Sequence, residues 1–254
     1  MISISDMTVE GVGCITNISL SNQEHSRIFF QAADWFVRSQ DESGGWPNQV
    51  VFNKDKSKYA GADEIQPGWY SAMAQGHGIS ILTRAFAASG GEESFLNAAE
   101  KALELYRVPS SEGGFVAKFM DQHVWYEEYP TNPPTFVLNG FMYSLLGLYD
   151  LKDLLENYDI PDKEKVLEEV TELFEIGMKS LKIMLPLYDT GSGTVYDLRH
   201  FTMKSTEPKI ARWDYHSTHV NLLYVLSSVD LDPVLSNISK RWKNYMLGKR
   251  AKHN

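Results

Sequence analysis

Basic residues are in short supply: 24 lysines and arginines stand against 33 aspartates and glutamates, a formal net charge of −9. Nonspecific affinity for nucleic acid comes from basic surface that releases counterions, so a general nucleic-acid binder is excluded. An anionic ligand would have to be met by local charge. Cysteine is nearly absent: Cys14 alone excludes a disulfide within the chain and zinc sites built on several thiolates. No apolar run reaches the roughly 18 residues of a membrane helix, and the N-terminal stretch lacks the basic-then-apolar layout of a secretory signal. The chain as written is expected neither to span a membrane nor to address itself to one. Acids Glu127, Glu128, Asp197 and Asp214 show no EF-hand spacing, and no His-x-x-x-His pair falls on a helix. No metal and no cofactor are expected.

What is present suits one globular domain. The 254 residues are 43% hydrophobic and 22% charged, enough to bury a large core. Helical periodicity dominates. Ser21 and Glu24 form a capping-box pattern, followed by Ile28, Phe29, Ala32, Trp35 and Phe36 on one face. Further helices are read through Ile79, Leu82 and Phe86, through Phe95 to Leu103, from Phe136 to Leu154, after Pro161, from His216 to Ser228 and from Pro233 to Leu247. Residues Gln49 to Phe52 and Thr194 to Tyr196 read as short strands, and Ile2 to Leu20 as broken strands left from a preceding β-rich region. Two sequons, at Asn17 and Asn237, would accept N-glycans in a secretory lumen.

Long loops rich in glycine and aromatics link these helices, whereas a simple bundle needs only short ones. The expected fold is all-α: an incomplete α/α toroid, helical hairpins in a ring, over residues 21–254, with short β-strands in loops and at the N-terminus.

Three segments place tyrosine beside a carboxylate: Trp125-Tyr126-Glu127-Glu128-Tyr129-Pro130, Tyr196-Asp197-Leu198-Arg199-His200 and Arg212-Trp213-Asp214-Tyr215-His216. A phenol can give or take a proton, arginine fixes a carboxylate, and tryptophan covers a sugar face, so Arg212 and Trp213 are candidate substrate-binding residues. Asn139 interrupts an apolar helix face, where its amide would hydrogen-bond a sugar hydroxyl. Most of the 13 tyrosines, Tyr126, Tyr143 and Tyr149 among them, are read as structural. His200 and His216 are weaker candidates than their neighbours, and His77 is expected to pack.

These motifs, together with Pro67-Gly68-Trp69-Tyr70-Ser71-Ala72-Met73, Phe136 to Leu145 and Leu187 to Thr194, closely resemble the heparan sulfate D-glucuronyl C5-epimerases. The resemblance runs from about Gly44 to the last residue. It implies conversion of D-glucuronate to L-iduronate in an N-sulfated heparan precursor, without a redox cofactor, by a homodimer in the Golgi lumen. Carried over residue by residue, it implies that Tyr129, Tyr196 and Tyr215 transfer protons around C5, that Glu128 orients or assists them, and that Arg199 clamps the carboxylate.

The chemistry requires such a set. Inverting C5 needs one group to remove the proton α to the carboxylate and another to return one to the opposite ring face. Lowering a phenol by three units requires about 4 kcal/mol of phenolate stabilisation, part of which is expected from Arg199, three residues after Tyr196. Two alternatives share the fold. A glycoside hydrolase needs two opposed carboxylates, of which only Glu128 stands out, and a lyase would expel the C4 oxygen after the same first step. A fragment inactive without preceding β-domains is the third reading. Cationic Lys240, Arg241, Lys243, Lys249, Arg250 and Lys252 are expected to draw in a sulfated polymer or to solubilise the tail.

Overall fold

A computed structural model describes residues 23–204 and 206–251, so the N-terminal strands, the Ser21 cap and the last three residues lie outside the described part. Eight helices occur among the described residues: α1 (Gln23–Ser39), α2 (Ala72–Ser89), α3 (Glu93–Lys101), α4 (Leu138–Asn157), α5 (Glu164–Met184), α6 (Arg199–Thr202), α7 (Trp213–Val229) and α8 (Pro233–Met246). The one sheet among the described residues is an antiparallel hairpin, β1 (Val116–Phe119) with β2 (His123–Tyr126).

Helices α2–α3, α4–α5 and α7–α8 form three hairpins, and α4 lies against both α2 and α7. These three make an inner row backed by α3, α5 and α8, the arc of an α/α toroid expected from the loops. Composition explains the layering. In α4, Phe141, Met142, Leu145, Leu148, Leu151, Leu154 and Leu155 are all fully buried, and a helix apolar on every side belongs inside. Each such side chain contributes about 1.5–3 kcal/mol. By contrast α5 turns Val170, Leu173, Phe174, Met178 and Leu181 inward and leaves Glu168, Glu172 and Glu175 in water. The inner helices meet closely because glycines face each other: a Cβ on Gly147 would lie 2.3 Å from the Gly76 carbonyl oxygen.

Caps mark the boundaries. Ser71 accepts from the Ala74 amide at the start of α2, which ends at left-handed Gly90. Asp232 caps α8 with Pro233 in its first turn. Four expectations need correction. Gln49 to Phe52 and Thr194 to Tyr196 form only isolated bridges, Asn48 to Trp69, Phe52 to Ile65 and Val195 to Ile210, because no third segment extends them. Helix α4 begins at Leu138 rather than Phe136, whose φ of +56° no helix admits. The helix through Phe95 stops at Lys101, and a separate 3-10 turn follows over Glu104–Arg107. The β1–β2 hairpin went unread, although its strands carry Trp125 and Tyr126 into the core.

A second, smaller apolar cluster of Phe52, Tyr59, Ala62, Trp69 and Met203, with Ile65 and Tyr129 against it, sits apart from the main core. It anchors the loop between α1 and α2. Asn53 ties that loop together: its amide donates to the carbonyls of Tyr59 at 2.9 Å and Ala62 at 3.0 Å and accepts from the Tyr59 amide at 2.8 Å.

Candidate functional site

The three inner helices α2, α4 and α7 begin beside the segments that carry the tyrosine motifs. Ala72 at the head of α2 donates to the Glu127 carbonyl, and Leu138 at the head of α4 donates to that of Tyr196. Their amide ends give this side of the arc partial positive charge.

Glu127 and Glu128 are adjacent but do different work. Glu127 is fully buried, and its carboxylate accepts from the Phe136 amide at 3.0 Å and from the Thr135 hydroxyl at 3.4 Å. Burial pushes its carboxyl up to about 8. That grip holds Phe136 in its left-handed conformation and so aims the first turn of α4. Glu128, 3% exposed, points the other way and accepts from the Asn139 amide at 3.3 Å. Burial raises its pKa, with Tyr129 and Lys209 opposing the rise. The Asn139 oxygen is buried with no hydrogen-bond partner among the described residues.

From Glu128 a row of phenols runs outward. The Tyr196 hydroxyl donates toward Tyr129, which donates toward Glu128, and Tyr196 meets Tyr215 edge-on at 4.8 Å. Desolvation raises both Tyr129 and Tyr196 above the ordinary phenol value, and the Glu128 charge raises them further. Tyr129 and Tyr196 are therefore neutral at physiological pH. Tyr129 is also fixed by its ring, which lies on Phe52 at 4.2 Å.

Arg199 departs from expectation. Its Nε donates to Asp197 Oδ1 at 2.8 Å and Oδ2 at 3.0 Å, Nη2 reaches the same carboxylate, Nη1 donates to the Lys58 carbonyl at 3.2 Å, and the guanidinium lies 3.9 Å from the Tyr59 ring centre. Its charge is offset by fully buried Asp197, and Tyr196 is raised rather than lowered, which corrects the expected effect of Arg199 on that phenol. Two guanidinium N–H groups remain free of these bonds.

The structure brings Glu128, Tyr129, Asn139, Tyr196 and Tyr215 together with Arg199 at the edge. Arg212 and Trp213 sit at the rim: Arg212 lies 5.3 Å from the Tyr215 ring and pairs with exposed Asp214 at 2.8 Å, while Trp213 is 60% exposed. His216 turns away into the protein, its Nδ1 and that of His219 both meeting the Thr194 hydroxyl. His200 stacks near Phe201, and His77 packs on Tyr143. Sequence reasoning missed Tyr59, Asp197 as the arginine's partner, and Lys209, whose ammonium is 4.3 Å from the Tyr196 ring centre. Glu127 and Asp197, expected to be solvated acids or hydrogen-bond partners, are both fully buried hydrogen-bond partners. Two surface hollows, near His123 and Ile176 and near Lys152 and Leu231, lie around α5 and are lined by none of these tyrosines.

Fold and site define a helical-hairpin domain with a tyrosine and carboxylate row at the heads of its inner helices. The chain belongs to the D-glucuronyl C5-epimerase C-terminus family, whose model matches residues 40–244. It is 49% identical over 239 residues to the D-glucuronyl C5-epimerase of Caenorhabditis elegans, across 93% of this chain and 38% of that protein. An uncharacterized protein of Methanocaldococcus jannaschii is 28% identical over 183 residues, 70% of this chain and 53% of its own length. The chain thus spans about a third to a half of these relatives.

Proposed function

We propose that this domain inverts C5 of D-glucuronate to L-iduronate within a polysaccharide, by removing a proton from one ring face and returning one to the other. The observation that carries the reading is the row Glu128, Tyr129, Tyr196, Tyr215, because its two ends offer opposite kinds of group. Glu128 is an acceptor whose pKa burial has raised, which suits a general base. The tyrosines carry hydroxyls that can donate, and desolvation keeps those of Tyr129 and Tyr196 protonated. In the forward step the C5–H bond breaks, its proton passes to Glu128, and the electron pair spreads into the carboxylate. Tyr215, at the far end, then delivers a proton to the opposite face of C5.

The remaining groups bind. The unpartnered Asn139 oxygen accepts from a sugar hydroxyl, and the free N–H groups of Arg199 reach the uronate carboxylate. Exposed Trp213 covers a ring at the rim, and Arg212 holds an anionic group beside it. The family and the motif resemblance extend the reading to an N-sulfated heparan precursor as polymer, a homodimer as working form and the Golgi lumen as location.

Incubation with N-sulfated glucuronate polymer in deuterated water tests this. Deuterium at C5 together with iduronate is expected, and Tyr215→Phe or Glu128→Gln should abolish both. A 4,5-unsaturated uronate would indicate a lyase, and new reducing ends without C5 label would indicate a hydrolase. Either outcome overturns the proposal.

A further inference from the structure

Abstraction at C5 turns a uronate monoanion into a species with a second negative charge, so the site must present positive charge not already cancelled. Arg199 does not supply it alone, because Asp197 grips it through three contacts. Lys209 differs. It forms no ion pair among the described residues, yet its ammonium stands 4.3 Å from the Tyr196 ring centre and 5.7 Å from that of Tyr59. Its position is set by backbone pairing: Tyr196 donates to the Lys209 carbonyl at 2.7 Å, Ala211 donates to that of Thr194 at 2.8 Å, and Val195 bridges Ile210. Backbone pairing thus holds this lysine beside the middle phenol of the row.

Resting on the epimerase reading, we infer that Lys209 binds the carboxylate of the sugar undergoing inversion and carries the charge that develops on it. The charges that face it fit this role. Arg199 and Lys58 repel it and Glu128 and Asp197 attract it, and no carboxylate is bonded to it among the described residues. Partial burial, and after it Arg199, lowers its pKa.

The test separates binding from chemistry in the full chain. Affinity is measured by calorimetry for N-sulfated glucuronate polymer and for the same polymer with its carboxylates reduced to alcohols, and C5 exchange is followed in parallel. Wild type should prefer the carboxylate polymer, Lys209→Met should lose at least tenfold of that preference and at least tenfold in kcat, and Lys209→Arg should restore much of both. Lys209→Met with unchanged preference and exchange overturns the inference and leaves the epimerase reading standing. Loss of preference in Lys209→Met where wild type binds but never exchanges C5 supports the anion site and overturns the epimerase reading. A wild-type chain that binds neither polymer overturns both.

Discussion

The Tyr129 ring lies flat on Phe52, with centroids 4.2 Å apart and planes within 11°. That contact is how a loop far away in sequence positions the hydroxyl next to Glu128. Trp69 and Tyr59 close around the same pair at 6.0 and 6.4 Å from Tyr129. Phe52 touches no chemistry itself, which makes it a positioning residue. Phe52→Ala should cost about 3 kcal/mol of stability, read as a lower urea midpoint. It should also lower kcat for C5 exchange more than it raises KM, and Phe52→Tyr should restore most of kcat. A parallel loss in stability with unchanged kcat in the folded fraction would show that the stack only holds the loop.

Gly140 makes room for Glu128. A Cβ there would lie 2.4 Å from Glu128 Oε2 and 2.5 Å from its Cβ, and the latter cannot swing aside as a side-chain tip can. Alanine is otherwise the better helix former, by up to about 1 kcal/mol. Gly140→Ala should therefore keep its helical circular dichroism and melt somewhat lower, since overpacking costs about 1–3 kcal/mol, while C5 exchange in the folded protein falls about a hundredfold, as a displacement near 1 Å does. Wild-type exchange in this variant would remove Glu128 from the reaction.

Much of this arrangement could be read from the chain, and the failures have physical causes. Helices α4 and α5 were legible because an all-apolar stretch and a strict amphipathic one have few other solutions. The Glu128, Tyr129, Tyr196 and Tyr215 set was legible through its motifs. Glu127 was not, since nothing local tells which of two adjacent acids turns inward; only the amide of Phe136, nine residues on, decides it. Lys209 was missed because its partner is a ring face reached through backbone pairing, with no charged neighbour in sequence to mark it. For Asp197 the sequence leaves open a solvated acid or a hydrogen-bond partner, and only the fold, which buries it against Arg199, decides for the second.

The Arg199 and Asp197 pair is buried on both sides, so removing one charge strands the other. Asp197→Asn should lower stability by about 3–5 kcal/mol in denaturant titration. The freed guanidinium would also repel Lys209, and binding of the carboxylate polymer would become steeper in salt. An unchanged urea midpoint would mean that water reaches the pair.

Stability should pass through a maximum in mildly acidic solution, because two fully buried groups pull in opposite directions. His219 is held down to about 3 by burial and by His216 beside it. The unfolded chain binds its proton near 6.5 while the folded one refuses it, so this contribution is intact above 6.5 and is lost as pH falls from 6.5 toward 3. Glu127, pushed up to about 8, does the reverse: its contribution is intact below about 4.5 and is lost as pH rises from 4.5 through 8. His216 and His77, both lowered by burial, add to the first slope, and Glu128, raised by burial, adds to the second. Between about 4.5 and 6.5 the opposing slopes nearly cancel. Urea midpoints measured from pH 4 to 9 should therefore peak in that window and decline on both sides. Glu127→Gln should flatten the alkaline side, because a neutral amide needs no proton to stay buried. His219→Phe should flatten the acid side at the cost of the Thr194 contact. A wild-type midpoint that climbs steadily to pH 8 would show that Glu127 stays ionised in the folded protein.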